Sequence, residues 1–319
     1  MTLAVLGATG FTGRLVLDEA RRASVPVRLV GRRREALEEL ARGGEEVRVA
    51  DARDREALAA AFDGTFAVVS LAGPFLAVGF APVGAAIDAG AHYVDTTGEQ
   101  EFARRVYDEW GPRAADRGVV LLTAFGFDYV PGDVAARLAG EGLEPVEEIA
   151  VAYSVTAMRT SRGTRRTVAS GLGRPHLAYE RGERVPSRFG ATTRHVRFPF
   201  GERTVLEWPG TEPLTVPRHT DVRTVRSYFR APAAAGKASA AGRLLGPLAR
   251  LGARFGPAGP APESRGRARF AVVAEATGAA GSRRPRRSTS TPSCRASSPG
   301  CAWSRSSRSS GVRSVRPPP

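Results

Sequence analysis

The sequence predicts an α/β chain in two parts: a doubly wound parallel sheet, then a second, mostly antiparallel α+β domain. Three observations lead there. The apolar run Leu3–Leu6 breaks into glycines at positions 7, 10 and 13. Strand-like and helix-like segments alternate as far as residue 140, which favours a parallel sheet with right-handed crossovers. From about Glu147 the texture shifts to longer, more polar alternating segments, as in antiparallel sheets with one covered face.

In the first part, strands are expected at 2–6, 26–30, 46–50, 66–71, 91–94 and 119–124, and helices at 12–23, 33–42, 54–62, 79–89, 99–116 and 132–140. The first turn reads Gly7-Ala8-Thr9-Gly10-Phe11-Thr12-Gly13. A Cβ at its glycines would forbid the turn or stand between the backbone and a pyrophosphate. The helix that follows would aim its N–H groups and dipole at that anion. The spacing is Gly-x-x-Gly-x-x-Gly rather than the common Gly-x-Gly-x-x-Gly, so a tight βα turn without a ligand stays open beside the nucleotide-binding Rossmann reading.

The second strand exits into Gly31-Arg32-Arg33-Arg34, and the first acid is Glu35. An acid at the exit would hold a free ribose 2′-hydroxyl. Guanidinium groups suit a 2′-phosphate instead. NADPH is therefore favoured over NADH, read by Arg32 and Arg33, with a solvated arginine run as the alternative. Asp51, closing the strand at 46–50, is a candidate partner for the adenine amino group or an ordinary helix cap.

Ligands of doubly wound sheets bind beyond the carboxyl ends of the strands. Three further segments fall there. Ser70–Phe75 contributes Ala72, Gly73 and Pro74 as candidate cofactor residues near the nicotinamide ribose; Tyr93–Glu99 and Ala124–Asp133 follow the next two strands.

The second domain, 147–280, has expected strands at Ile149–Thr156, Thr193–Phe200, Asp221–Phe229 and Arg267–Ala276. Between them Leu244, Leu245, Leu248, Leu251 and Phe255 recur at helical spacing beside Arg243, Arg250 and Arg254. Such a basic amphipathic helix packs over a groove, or touches a membrane surface through residues 238–255.

At 319 residues the chain can fill two cores. A net charge of +15 first suggests an anionic partner, but nine of those charges come from arginines between Arg283 and Arg316. Gly281–Pro319 is Ser/Arg/Pro-rich and cannot form a core, so a disordered tail is expected. Its abrupt onset is read first as an out-of-frame product, and nucleic-acid binding is not expected of it. Cys294 and Cys301 lie in this tail at a spacing that matches no metal-ligand set, and no metal site or disulfide framework is implied. Nothing reads as a signal peptide or a bilayer-spanning stretch. A cytoplasmic protein is expected, with peripheral membrane contact and oligomerisation left open.

Together, Gly7–Gly13, Gly73-Pro74-Phe75, Tyr93-Val94-Asp95 through Gly98-Glu99, and Gly126-Phe127-Asp128 with Val130-Pro131 and Asp133 resemble the saccharopine dehydrogenase-like oxidoreductases. Bacterial trans-acting enoyl reductases are the most similar in appearance. The resemblance covers residues 1–140 and is looser over 147–276. It implies an NADP-binding Rossmann domain over 1–146, a substrate domain, and hydride transfer to an enoyl or imine group of a hydrophobic, acyl-derived small molecule. The chain departs from the pattern in places. Tyr129 and Gly132 stand where small hydroxyl residues are common, and Ser161-Arg162-Gly163-Thr164 has an arginine in a Ser-Gly-Gly-Thr motif. The tail cannot supply the family's returning helices. An inactive truncated homologue, or a non-catalytic NADP-binding sensor or structural subunit, therefore stands beside the enzyme reading.

Reduction of a double bond pairs hydride from the cofactor with a proton donor. Tyr129 and Asp128, at the exit of the sixth strand, are the candidate catalytic residues, with Asp95 and Glu99 as alternatives. His92, His176, His195 and His219 show no partner pattern and read as structural or surface residues.

Overall fold

The computed structural model describes residues 1–42, 44–156, 161, 163–165, 174–231, 259, 261 and 267–278, and the backbone of three later strands. Two compact units emerge. One holds residues 1–126; the other holds 127–156, 174–231 and 267–278.

The first unit is a six-stranded parallel sheet of β1 (Leu3–Leu6), β2 (Val27–Gly31), β3 (Glu46–Val49), β4 (Ala67–Ser70), β5 (His92–Asp95) and β6 (Leu121–Leu122). The spatial order is β3-β2-β1-β4-β5-β6. The order reverses between β1 and β4, the switch point where such sheets open a ligand crevice. Alternation along β1 fills two cores. Leu6 packs with Val30, Val68, Phe62 and Phe102, whereas Val5 packs with Leu29, Leu17 and Leu37. Burial on both faces is what a parallel sheet between helical layers requires.

The helices of this unit are α1 (Phe11–Arg22), α2 (Arg34–Glu38), α3 (Arg55–Phe62), α4 (Phe75–Val78), α5 (Phe80–Asp88), α6 (Gln100–Arg105) and α7 (Gly111–Asp116). Two differ from expectation. The helix expected at 79–89 is preceded by α4, and a Cβ at the Gly79 junction would come within 2.6 Å of the Phe102 ring. The helix expected at 99–116 is broken by a π-helical turn, Val106–Trp110.

The second unit begins with α8 (Val130–Gly140), whose alanines at 135, 136 and 139 pack on β7 (Val146–Thr156). The strands that follow are β8 (His176–Glu180), β9 (Glu183–Ser187), β10 (Thr193–Phe198), β11 (Gly201–Glu207), β12 (Val222–Phe229) and β13 (Arg269–Gly278), with a one-turn helix α9 (Glu212–Thr215) before β12. They line up as β10-β11-β12-β7-β13, antiparallel except for the parallel pair β7–β12. One covered face was expected, but β7 is covered on both. Ile149, Val151 and Tyr153 join α8 on one side, while Ala150 and Ala152 join Val196, Phe198 and Tyr228 on the other.

Within the stretch 281–319, three segments run as strands: β14 (Arg286–Ser290), β15 (Cys294–Arg295) and β16 (Ser304–Ser307). The pairs β13–β14, β13–β15 and β14–β16 are antiparallel. A core cannot form from such residues, yet a strand edge offers unpaired backbone groups whatever the side chains are. The amphipathic segment Ala233–Phe255, with its membrane-contact stretch 238–255, lies outside the described residues, as do Arg162 and Cys301. Among the described residues no helix is long and apolar enough to cross a membrane.

Candidate functional site

The turn from β1 to α1 is built so that only glycine fits. Gly7 takes a positive φ of 87°, and its N–H donates to the Val30 carbonyl at 3.1 Å. A Cβ there would lie 3.1 Å from the backbone of Leu71, at the exit of β4. One on Gly13 would lie 2.6 Å from Ala8 Cα. The Gly10 N–H donates to the Gly7 carbonyl at 2.9 Å and tightens the loop. Helix α1 has no side-chain cap and no acid in its first turn, while Arg21 and Arg22 occupy its last. Its leading N–H groups are therefore uncapped by side chains, with the dipole's positive end uncompensated. Thr9, Phe11 and Thr12 complete this cradle, which fits a pyrophosphate.

Beyond β2 the side chains of Arg32 and Arg33 are exposed, and Arg33 is the N-cap residue of α2. An Arg32 nitrogen stands 4.0 Å from Asp51 Oδ2. The cap of α3 is Asp54, which accepts the Ala57 N–H at 3.0 Å. Asp51 instead accepts the Arg53 N–H at 2.9 Å, so the helix-cap reading passes to its neighbour.

Ala72, Gly73 and Pro74 run from β4 into α4. The first N–H groups of that helix, from Phe75 and Leu76, donate to the buried Glu99 carboxylate at 2.8 and 3.1 Å. Asp95 is fully buried and accepts from the N–H groups of Thr97 and Ala124 and from the Thr123 hydroxyl at 2.8–3.0 Å. Burial pushes its carboxyl up to about 6, against those donors. The bonds to Thr123 and Ala124 tie the exit of β5 to that of β6. Both alternative proton donors thus have structural work already.

The turn before α8 belongs to the second unit. Tyr129 is 4% exposed, and its ring stacks on Trp208 with centroids 5.8 Å apart and planes 14° apart. Its carbonyl accepts the Asp133 N–H at 3.0 Å. Asp128 keeps partial exposure, and burial pushes its carboxyl up to about 6. The glycine turn, the β4 exit, Arg32 and Asp51 share the first unit, while Asp128 and Tyr129 stand in the second.

Sequence reasoning missed Glu212. This carboxylate at the start of α9 is fully buried and accepts from the hydroxyls of Tyr153 and, at 2.6 Å, Ser227. Gly132 makes room for it: a Cβ there would stand 2.6 Å from Tyr153 Cζ and 2.8 Å from Glu212 Oε1. A serine at 132 would collide with this pair, which accounts for the departure from the expected pattern. The histidines have local partners; His92 Nδ1 accepts the Val120 N–H, and His176 meets Glu207 at 3.3 Å. His195 faces Glu202 at 3.9 Å and His219 faces Asp133 at 3.1 Å.

Comparison with known proteins agrees with this geometry. A family model described as NAD(P)H-binding matches residues 7–145. A Mycobacterium tuberculosis protein named as a trans-acting enoyl reductase is 37% identical over 156 residues, covering 44% of this chain and 37% of its own length. An Arabidopsis thaliana protein named as a mitochondrial saccharopine dehydrogenase-like oxidoreductase is 32% identical over 149 residues, 41% of this chain and 33% of its own. The matches thus span about a third of those relatives. A saccharopine dehydrogenase of Saccharomyces cerevisiae shares the fold with a TM-score of 0.56 at 13% identity, covering 95% of this chain and 85% of that one. Residues 7–145 thus match an NAD(P)H-binding family model, the first unit has a sheet of the Rossmann kind, and the relatives are named as oxidoreductases.

Proposed function

We propose that the chain is an NADPH-dependent oxidoreductase that reduces an enoyl or imine group of a hydrophobic, acyl-derived small molecule. The observation that carries this reading is the β1–α1 turn, where Gly7 holds a positive φ, Gly13 has no room for a Cβ and α1 opens uncapped. Gly7, Thr9, Gly10, Phe11, Thr12 and Gly13 hold the pyrophosphate, Arg32 and Arg33 the 2′-phosphate, Asp51 the adenine side, and Ala72, Gly73 and Pro74 the nicotinamide ribose. When bound, the nicotinamide supplies a hydride. Relatives named as trans-acting enoyl reductases support the choice of an enoyl acceptor.

Asp128 is the proposed proton donor. A carboxyl raised to about 6 retains a proton fraction near neutrality and gives it up readily. Tyr129, packed on Trp208, holds the turn that carries Asp128 and stands second as donor. Calorimetric titration with NADPH beside NADH tests the cofactor assignment; saturable binding with NADPH preferred is expected. NADPH oxidation with short enoyl thioesters and cyclic imines then tests catalysis. Binding without turnover on either class would favour a sensor or structural subunit.

A further inference from the structure

The second unit contains a polar site that the proposed reaction does not use. Glu212 is fully buried, and among the described residues no arginine, lysine or histidine forms an ion pair with it. Its two oxygens each receive one hydroxyl, from Tyr153 on β7 and Ser227 on β12. Two glycines leave it space. A Cβ on Gly132 would stand 2.8 Å from Oε1, and one on Gly210 would lie 2.5 Å from Ser227 Cβ. A carboxyl hemmed in by hydroxyls and glycines, without a countercharge, is built to hold a proton as well as to lose one.

The Tyr153 hydroxyl has two acceptors in reach: Glu212 Oε1 and, at 3.3 Å, the Tyr129 carbonyl. It has one proton and can serve one of them at a time. With Glu212 ionised, Tyr153 donates to the carboxylate. With Glu212 protonated, the carboxyl O–H donates to the Tyr153 oxygen, and the Tyr153 proton turns to the Tyr129 carbonyl. That carbonyl is also the acceptor of the first α8 hydrogen bond, from Asp133.

We propose that the Tyr153 hydroxyl is a two-position switch set by the protonation of Glu212, and that it positions the turn bearing Asp128 and Tyr129. The value of this switch to catalysis rests on the reading of that turn given above; the switch itself does not. Glu212 and Tyr153 are positioning residues.

The surroundings allow the exchange. Burial pushes Glu212 up to about 7, against the hydrogen bonds from Ser227 and Tyr153. From α8, Asp133 faces it and raises it further, while Asp133 itself pairs with His219 at 3.1 Å. Ahead of α8, Asp128 and Tyr129 face Tyr153, whose own hydroxyl is pushed well up by burial and by Glu212. On β12, Arg226 is engaged by Glu180 and Glu207, and His176 on β8 meets that same Glu207. Arg218, after α9, is exposed.

The test uses the full chain without NADPH or substrate, so it is read separately from the reductase assignment. Trp208 packs on Tyr129 and against Tyr153, with centroids 5.8 and 5.9 Å away. In a Trp110→Phe, Trp303→Phe background its fluorescence is titrated between pH 5 and pH 9. A step near pH 7, separate from any at the pH of about 6 where Asp128 ionises, is expected and is lost in Glu212→Gln. Ser227→Ala removes a donor to the charged form and is expected to move the midpoint upward by about one unit. Tyr153→Phe is expected to raise the midpoint likewise and to shrink the Trp208 response several-fold. A step near pH 7 that survives Glu212→Gln overturns the proposal. Unmoved midpoints in both hydroxyl variants overturn it as well, and these variants serve if Glu212→Gln does not fold.

Discussion

The Glu99 carboxylate accepts the Phe75 N–H at 2.8 Å across 24 positions of sequence. An acid that follows β5, and that reads locally as a proton donor, is the cap of a helix belonging to the preceding crossover. Glu99→Ala is expected to lower stability by about 1–3 kcal/mol, because two N–H groups lose a buried acceptor. Denaturant unfolding of the first unit's signal measures this, and an unchanged midpoint would remove the cap.

A Cβ at Gly13 would meet backbone atoms, which cannot swing aside as a side chain can. Ala8 Cα would lie 2.6 Å from a new Cβ. Gly13→Ala is expected to abolish NADPH binding and to cost about 1–3 kcal/mol through forced backbone shifts. Calorimetry and thermal melting separate the two effects; retained affinity would show that the loop does not hold the pyrophosphate.

Arg32 and Arg33 bear on cofactor choice. A charged hydrogen bond to a phosphate is worth about 1.5–3 kcal/mol. Joint substitution by alanine is therefore expected to weaken NADPH binding by at least about tenfold while leaving NADH within about threefold. Equal losses for both cofactors would sink the 2′-phosphate assignment.

Asp95 sets a pH dependence. Its folded value of about 6 lies above the ordinary carboxyl value near 4. The folded state then binds the extra proton, so the contribution to stability is full below about pH 4 and declines as the pH rises through 6. Asp95→Asn can still accept from Thr97 and Ala124, and it is expected to flatten the stability profile in that window. Melting curves from pH 4 to pH 8 check this; an unaltered slope would assign it elsewhere.

The first unit was legible because its strands, apart from the charged and mostly exposed β3, are short apolar runs closed by glycine or a polar residue. Leu3–Leu6 and Val27–Gly31 lie within one residue of their expected limits. Helix 99–116 misled, since its apolar spacing continues through Val106–Trp110 while its backbone hydrogen bonding does not. Strands β8, β9 and β11 were missed because their outward residues are charged and their inward ones few. Glu212 was invisible for another reason. It stands alone between Thr211 and Pro213, and its partners lie at 153 and 227. The one hint was Gly132, a small residue standing where a hydroxyl is common.

The pairing of β7 with β13 sets Ser154 opposite Ala271. The parallel sheet of the first unit closes with Leu122, but the middle of the second sheet lacks one neighbour until residues 269–278 have been made. During synthesis, then, the first unit can close while its companion waits with an open, apolar strand. Contacts so distant in sequence form slowly, and over that interval the nascent β7 is the segment most exposed to aggregation.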